Sequence, residues 1–229
     1  MKRLAKRLVE LGLFVTAPVL PWGLRRVLYT RLLGYRLHPS ARIGIALVSV
    51  GACAMGERSR IGHFTLIRNM DRLEIAAGSK IGTFNWIFGM PTGNTRHFTH
   101  NTDRDSALVI GPESSLTSRH ILDCTDRISI GAFTTIAGFR SQILTHSIDI
   151  QANRQSSRPV TIGDYCMLGS GCIVLKGARM PNGTVLAAGS VFRGAPNAEY
   201  QLMSGVPATA IRSMDPGDGY FQRTEGPVS

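Results

Sequence analysis

The chain has 229 residues, is 43% hydrophobic and 18% charged, and carries a formal net charge of +11. That length fits one sizeable domain with an appendage, and a mean hydropathy of +0.04 excludes both a polytopic membrane protein and a wholly disordered chain. Four cysteines, Cys53, Cys124, Cys166 and Cys172, show neither metal-ligand spacing nor a dense disulfide framework, which favours a reducing compartment.

The charge is uneven. Residues 1–42 hold nine Lys/Arg against Glu10 alone, +8 of the total, while the remaining 187 residues carry 17 basic and 14 acidic side chains. The body of the protein is therefore not expected to bind nucleic acid. Residues 1–37 interleave the basic residues with leucines and valines, and the uncharged run from Leu11 to Leu24 contains Pro18 and Pro21. At 14 residues that run falls short of the roughly 20 that span a bilayer. Glu10, and the lack of a small-x-small site before Arg25-Arg26, argue against a signal peptide. Two short helices broken near Pro18–Pro21 are expected, either lying on an anionic membrane surface from the cytoplasmic side or capping the open end of the next domain.

From His38 the helical period gives way to a period of six. Ile162, Leu168, Val174, Met180, Leu186 and Phe192 are spaced by six, with Cys166, Cys172, Ala178, Thr184 and Ser190 in the slot four residues after each of the first five. The same phase holds at Met55, Ile61 and Ile67, and at Ile110, Leu116 and Leu122. Two places, Asp71–Ile75 and Asp126–Ile130, each add two residues, which reads as a corner bulge. Neither a helix nor a simple strand alternation produces this spacing; a solenoid does. One large apolar residue per hexad points to the axis, a small one leaves it room, and Gly relieves the corners. Three hexads make one triangular coil, giving about six or seven coils between residues 40 and 195. The expected fold is all-β, a parallel β-helix over 38–214 with loop excursions at 89–107 and 147–158, preceded by the short α-helical segment 1–37. Residues 215–229, rich in Gly, Pro and polar residues, are expected to form a loose tail.

The run Ile162-Gly-Asp-Tyr-Cys-Met-Leu-Gly-Ser-Gly-Cys-Ile-Val, with Ala187-Ala-Gly-Ser-Val and Gly205-Val-Pro-Ala-Thr-Ala-Ile-Arg212, resembles the hexapeptide-repeat acyltransferases. The likeness is greatest to those that O-acetylate sugars and bacterial surface polysaccharides. It implies a left-handed β-helix, a homotrimer, acetyl-CoA as co-substrate and a glycan acceptor. The basic N-terminus would place the enzyme peripherally on the inner face of the membrane, beside a lipid-linked or envelope glycan.

Acetyl transfer to a hydroxyl needs a base, and histidine is the usual choice near neutral pH. By the resemblance, the base sits where a strand ends and a loop leaves the prism, a description that His146 meets in Leu144-Thr-His-Ser-Ile-Asp149. Asp149 is expected to orient that imidazole or an acceptor hydroxyl. Similarity to the family places the Ser170 backbone N–H as oxyanion donor and runs the pantetheine arm past Gly169, Ser170 and Ala188. Lys176, Arg193 and Arg212 are the candidates for the phosphates, with Pro207 at the adenine end. Asn85, His120 and Arg140 fill slots that are usually small and are read as acceptor-facing. No metal is expected; the alternatives are a metal-dependent carbonic anhydrase on the same fold, or a non-catalytic scaffold recruited to the membrane. Cys166 and Cys172 fall in packing slots, so transfer is expected to be direct.

Overall fold

The computed structural model describes residues 2–94 and 97–226. Helices α1 (Lys2–Thr16) and α2 (Trp22–Leu33) come first, split by the turn that carries Pro18 and Pro21. Gly34 ends α2 at φ 71°, its N–H donating to the Tyr29 carbonyl, a left-handed cap that suits glycine. From Arg36 the chain winds into seven coils, each laying one short strand on each of three parallel sheets. The first face runs from Arg36–Leu37 to Arg179–Met180, the second from Arg42–Ile43 to Val185–Leu186, and the third from Leu47–Ser49 to Val191–Phe192.

The hexad explains this geometry. Ile43, Ile61 and Ile81 stack in register, as do Ile136, Leu168 and Leu186. Ile162, Leu168, Val174, Met180, Leu186 and Phe192 are all at most 2% exposed. Each such side chain contributes about 1.5–3 kcal/mol of burial. Cys166, Cys172, Ala178, Thr184 and Ser190 are buried at the corners, where the next coil leaves no room for more. Several corners need a left-handed residue. Gly177, Gly183 and Gly189 serve late in the chain, while Phe64, Phe84, Phe133 and Tyr165 take positive φ earlier. Their strain is offset by ring stacking between coils, at 5.1 Å for Phe64 on Phe84 and 4.9 Å for Phe133 on Tyr165.

Both ends of the prism are closed. Lys6 Nζ donates to the carbonyls of Val50 and Gly51, and Arg25 donates to those of Ile43 and Gly44. Glu10, Leu13, Ala17, Tyr29 and Leu33 turn inward over the first coil. The helices thus satisfy and cover an edge that would otherwise offer itself for strand pairing. At the far end the antiparallel hairpin Gln201–Gly205/Ala208–Ser213 extends the second face.

The composition of residues 215–229 points to a loose tail, but residues 215–226 pack back along the prism; residues 227–229 lie outside the described residues. Short helix α3 (Gly219–Gln222) buries Phe221, Tyr220 Oη donates to the Cys166 carbonyl at 2.9 Å, and Gly226 N–H donates to Glu113 at 3.0 Å. Aromatic residues inside a Gly/Pro-rich segment supply the contacts that its average composition hides.

Candidate active site

The third-face strand Gln142–Leu144 ends at Thr145, and His146 opens the antiparallel hairpin His146–Asp149/Arg154–Ser157 that leaves the prism. One coil below, the strand Ile121–Asp123 pairs with it in parallel, Asp123 opposite Leu144. The Asp123 side chain is 2% exposed, that of His146 36%. Asp123 Oδ2 accepts from His146 Nδ1 and from the backbone N–H groups of Thr145 (3.2 Å) and His146 (3.1 Å), while Oδ1 accepts from Thr125 N–H (3.1 Å). Burial alone would raise the Asp123 carboxyl, but the bonds from His146 and Thr125 outweigh it and hold the group below its ordinary value. An ionised Asp123 keeps the proton on Nδ1 and leaves Nε2 as the basic nitrogen.

A lid flanks the imidazole. Phe98, from the excursion after Trp86–Phe88, meets His146 edge-on at 6.1 Å between centroids, and the Arg104 guanidinium lies 4.7 Å over the Phe98 ring. Buried Arg104 donates to the carbonyls of Thr125 (2.6 Å) and Pro91 (3.0 Å). Asn101 Nδ2 donates to Ser157 Oγ at 2.8 Å, and that hydroxyl donates to Asp126 at 3.0 Å. Excursion and hairpin are therefore fastened together beside His146. Between them lies a cleft of about 360 Å³, lined by His97, Phe98, His100, Ile148, Arg154 and Gln155. A larger hollow of about 700 Å³ lies on the first face, but the histidine in its lining, His38, is bonded to Ser40 rather than to a carboxylate. The two-residue additions anchor this apparatus: Asp71 accepts from Thr92 N–H and Oγ1, and Asp126 holds Ser157.

Several expected residues lie elsewhere. Asp149 does not orient His146; it accepts from Ala152 N–H at 3.0 Å and serves the hairpin turn, and Asp123 takes the orienting place. Asn85 and His120 do not face an acceptor, because both are fully buried. They form a corner ladder: Asn85 Nδ2 donates to the Thr117 carbonyl, His120 N–H donates to Asn85 Oδ1, and Ser141 N–H donates to His120 Nδ1. Burial pushes the His120 imidazole down to about 4. Arg140 is exposed at φ 64°, over the Phe139 ring, because that corner holds one extra residue and Ser141 takes the inner slot.

The residues expected at the donor divide between two edges of the third face. Gly169, Ser170 and Ala188 share the corner where the second face turns into the third. A Cβ on Gly169 would stand 2.7 Å from Ala188 N, so that approach requires glycine. Gly205 N–H donates to Ser190 Oγ at 3.2 Å, which brings the turn carrying Pro207 to the same corner. Lys176 and Arg193 follow the third-face strands Ile173–Val174 and Val191–Phe192, on the edge that His146 occupies. Lys176 Nζ donates to Ser156 Oγ of the hairpin. Arg212 lies exposed on the end hairpin opposite Leu202. Ser170 and His146 are thus separated by the width of the face, about 15 Å of extended strand. Cys166 and Cys172 are buried, and burial pushes the Cys166 thiol up to about 12, in keeping with a packing role. Among the described residues no three His, Cys, Asp or Glu side chains gather to hold a metal ion.

No family profile and no curated protein matches the sequence itself. Solved structures do match. The polysialic acid O-acetyltransferase OatWY aligns over 78% of this chain and 87% of its own, at 16% identity and a TM-score of 0.53. The fold is the hexapeptide-repeat parallel β-helix. A hexapeptide-repeat acetyltransferase of Vibrio cholerae aligns with this β-helix chain over 93% of it and 91% of its own, at 17% identity and a TM-score of 0.49. Its acetyl-coenzyme A complex aligns over 92% and 88%, at 18% identity and a TM-score of 0.46.

Within the β-helix, sequence reasoning missed Asp123, Phe98, Asn101 and Arg104. Asp123 carries a weak signal, an acid directly after the inward Leu122. Its position beneath Leu144 is hidden by the residues added between the two coils.

Proposed function

We propose that this chain is an acyl-CoA-dependent O-acetyltransferase that moves an acetyl group from acetyl-CoA to a sugar hydroxyl. The observation that carries the reading is His146 beside Phe98 of the cleft wall, its Nδ1 held by ionised Asp123 so that Nε2 is the base. The acceptor hydroxyl gives its proton to Nε2 as its oxygen bonds to the thioester carbonyl carbon. The C–S bond then breaks, and His146 returns the proton to the departing thiolate. Asp123 stabilises the imidazolium in between, and the Ser170 backbone N–H faces the developing oxyanion.

His146 and Ser170 stand on opposite edges of one face, so the site closes only when two copies pack edge to edge. The outer side of the third face favours such packing. It presents Trp86, which is 59% exposed, between half-buried Leu66 and Ile121. A homotrimer would repeat the contact three times without open ends. Each cleft would then combine His146, Lys176 and Arg193 of one copy with Gly169, Ser170, Ala188 and Pro207 of the next. The shared fold of a polysialic acid O-acetyltransferase makes charged surface glycans the first acceptors to test. A lipid-linked or envelope polysaccharide on the cytoplasmic side of the membrane suits the basic N-terminus.

The test is transfer of label from acetyl-CoA to a panel of oligosaccharides that includes oligosialic acid. His146→Ala is expected to lower turnover by about 10²–10⁴-fold. Coenzyme A at about 100 times Kd should still stabilise the variant by about 2.7 kcal/mol. Equal turnover by the variant and the unsubstituted protein would overturn the mechanism, and failure of coenzyme A to shift the unsubstituted protein would overturn the donor assignment.

A further inference from the structure

Helix α1 has two apolar stripes, and the cap uses only one. Glu10, Leu13 and Ala17 face the prism and are buried. On the opposite side Leu4, Leu8, Leu11 and Val15, spaced by four, three and four, are 66%, 61%, 50% and 65% exposed. Helix α2 adds Leu24 at 50%, Val27 at 43% and Leu32 at 59%. A helix that served only as a cap would be polar on that side. Seven aliphatic side chains stand exposed on two adjoining helices, more than a cap alone calls for.

The exposed charges of residues 4–36 are of one sign. Glu10, the lone acid of residues 1–42, is turned inward and accepts from Tyr35 Oη and Ser49 Oγ. Lys6 and Arg25 are engaged with backbone carbonyls, whereas Arg7, Arg31 and Arg36 are exposed and make no ion pair among the described residues. We propose that the outer face of α1 and α2 docks on an anionic lipid surface, with the leucine stripe among the acyl chains and the arginines at the headgroups. A second copy is the poorer partner, since two such faces bring like charges together. No described helix is long and apolar enough to cross a membrane, so the pair lies on the surface.

Docking in this way sets the height of the cleft. His146 follows the fifth coil, four strand spacings above Leu47–Ser49 on the third face. That is about 19 Å along the axis at about 4.8 Å per coil, so an acceptor fixed in the same membrane would have to be a headgroup that extends that far.

The experiment is co-sedimentation of the full-length protein with vesicles of phosphatidylglycerol and phosphatidylcholine in equal parts, and with phosphatidylcholine alone. We expect binding to the anionic vesicles that weakens with added salt. Leu8→Glu/Leu11→Glu/Val15→Glu should reduce it more than tenfold with an unchanged melting temperature, since these side chains make no part of the core. Arg7→Glu/Arg31→Glu should weaken binding while leaving the leucine stripe intact. Absence of binding to either vesicle, equal binding by the triple variant, or an assembly in solution that the triple variant reduces in size would each overturn the proposal. None of these readouts depends on acetyl transfer.

Discussion

Asp123 and His120 are both buried at coil corners, yet one is an ionised partner of the proposed base and the other a neutral structural link. Asp123 collects four donors, counting His146 Nδ1, and remains a carboxylate. Asp123→Asn would present an amide that can donate as well as accept, and so would no longer fix the proton on Nδ1. Turnover is expected to fall by up to about 10⁴-fold, by analogy with loss of the orienting carboxylate in a Ser-His-Asp triad. The KM for acetyl-CoA should not move, and an unchanged kcat would remove Asp123 from the mechanism. Because its folded pKa is depressed, Asp123 adds stability above its unfolded value of about 3.9, lost as the pH falls through the folded value. The Asn variant should lack that acid-limb loss in thermal melts. His120 behaves oppositely. Its Nδ1 accepts from Ser141 N–H, so protonation sets two donors against each other in a buried corner. Above about pH 6.5 it is neutral folded and unfolded. As the pH drops toward about 4 the unfolded chain takes up the proton first, so stability should decline over that window and level off below it. At 1.36 kcal/mol per pK unit the full span is about 3 kcal/mol. Melting curves of His120→Gln should lack this slope; a variant with the same slope would assign it to another group.

At the scale of elements, the hexad makes the coils legible in the sequence, because an inward residue every sixth position is a direct image of a three-sided turn. His146 was readable for a related reason: it stands where the hexad stops. Its partner was not. From Leu122 to Ile143 the chain spans 21 residues where a regular coil needs 18, since Asp126-Arg127 and the Arg140 corner add residues. Counting in hexads therefore misplaces Asp123 relative to His146, and it put Arg140 in the slot that Ser141 fills. The excursion after Phe88 obeys no period, so Phe98, Asn101 and Arg104 gave no signal of lid contacts. Those contacts have a kinetic consequence. Asn101→Ala removes the bond to Ser157 that ties excursion to hairpin, worth about 0.5–1.5 kcal/mol. The acceptor KM should rise about two- to tenfold if that bond holds the cleft's shape, with the acetyl-CoA KM unchanged. A parallel rise in both KM values would instead mean that the whole edge of the prism had loosened.

For the whole molecule, the decisive question is whether one chain holds a complete site. The proposed base lies on one edge of the third face and the proposed donor corner on the other, so two disabled chains should repair each other if the site is shared between neighbours. His146→Ala leaves the donor corner untouched, and Ala188→Trp blocks the path over exposed Ala188 without disturbing the core. Each variant alone should be inactive. Unfolded together and refolded as a mixture, they should form closed rings in which about a quarter of the junctions pair an intact base with an intact donor corner. Turnover should recover toward about that fraction of the unsubstituted protein. If base and donor corner of one chain served the same site, every site in the mixture would carry one of the two lesions and no activity would return. Trp86→Lys gives the complementary test, since a charge at the centre of the apolar third face should leave folded single chains in analytical ultracentrifugation. Those single chains should be inactive although His146 and Asp123 are intact, because a neighbour's Ser170 is missing rather than the base.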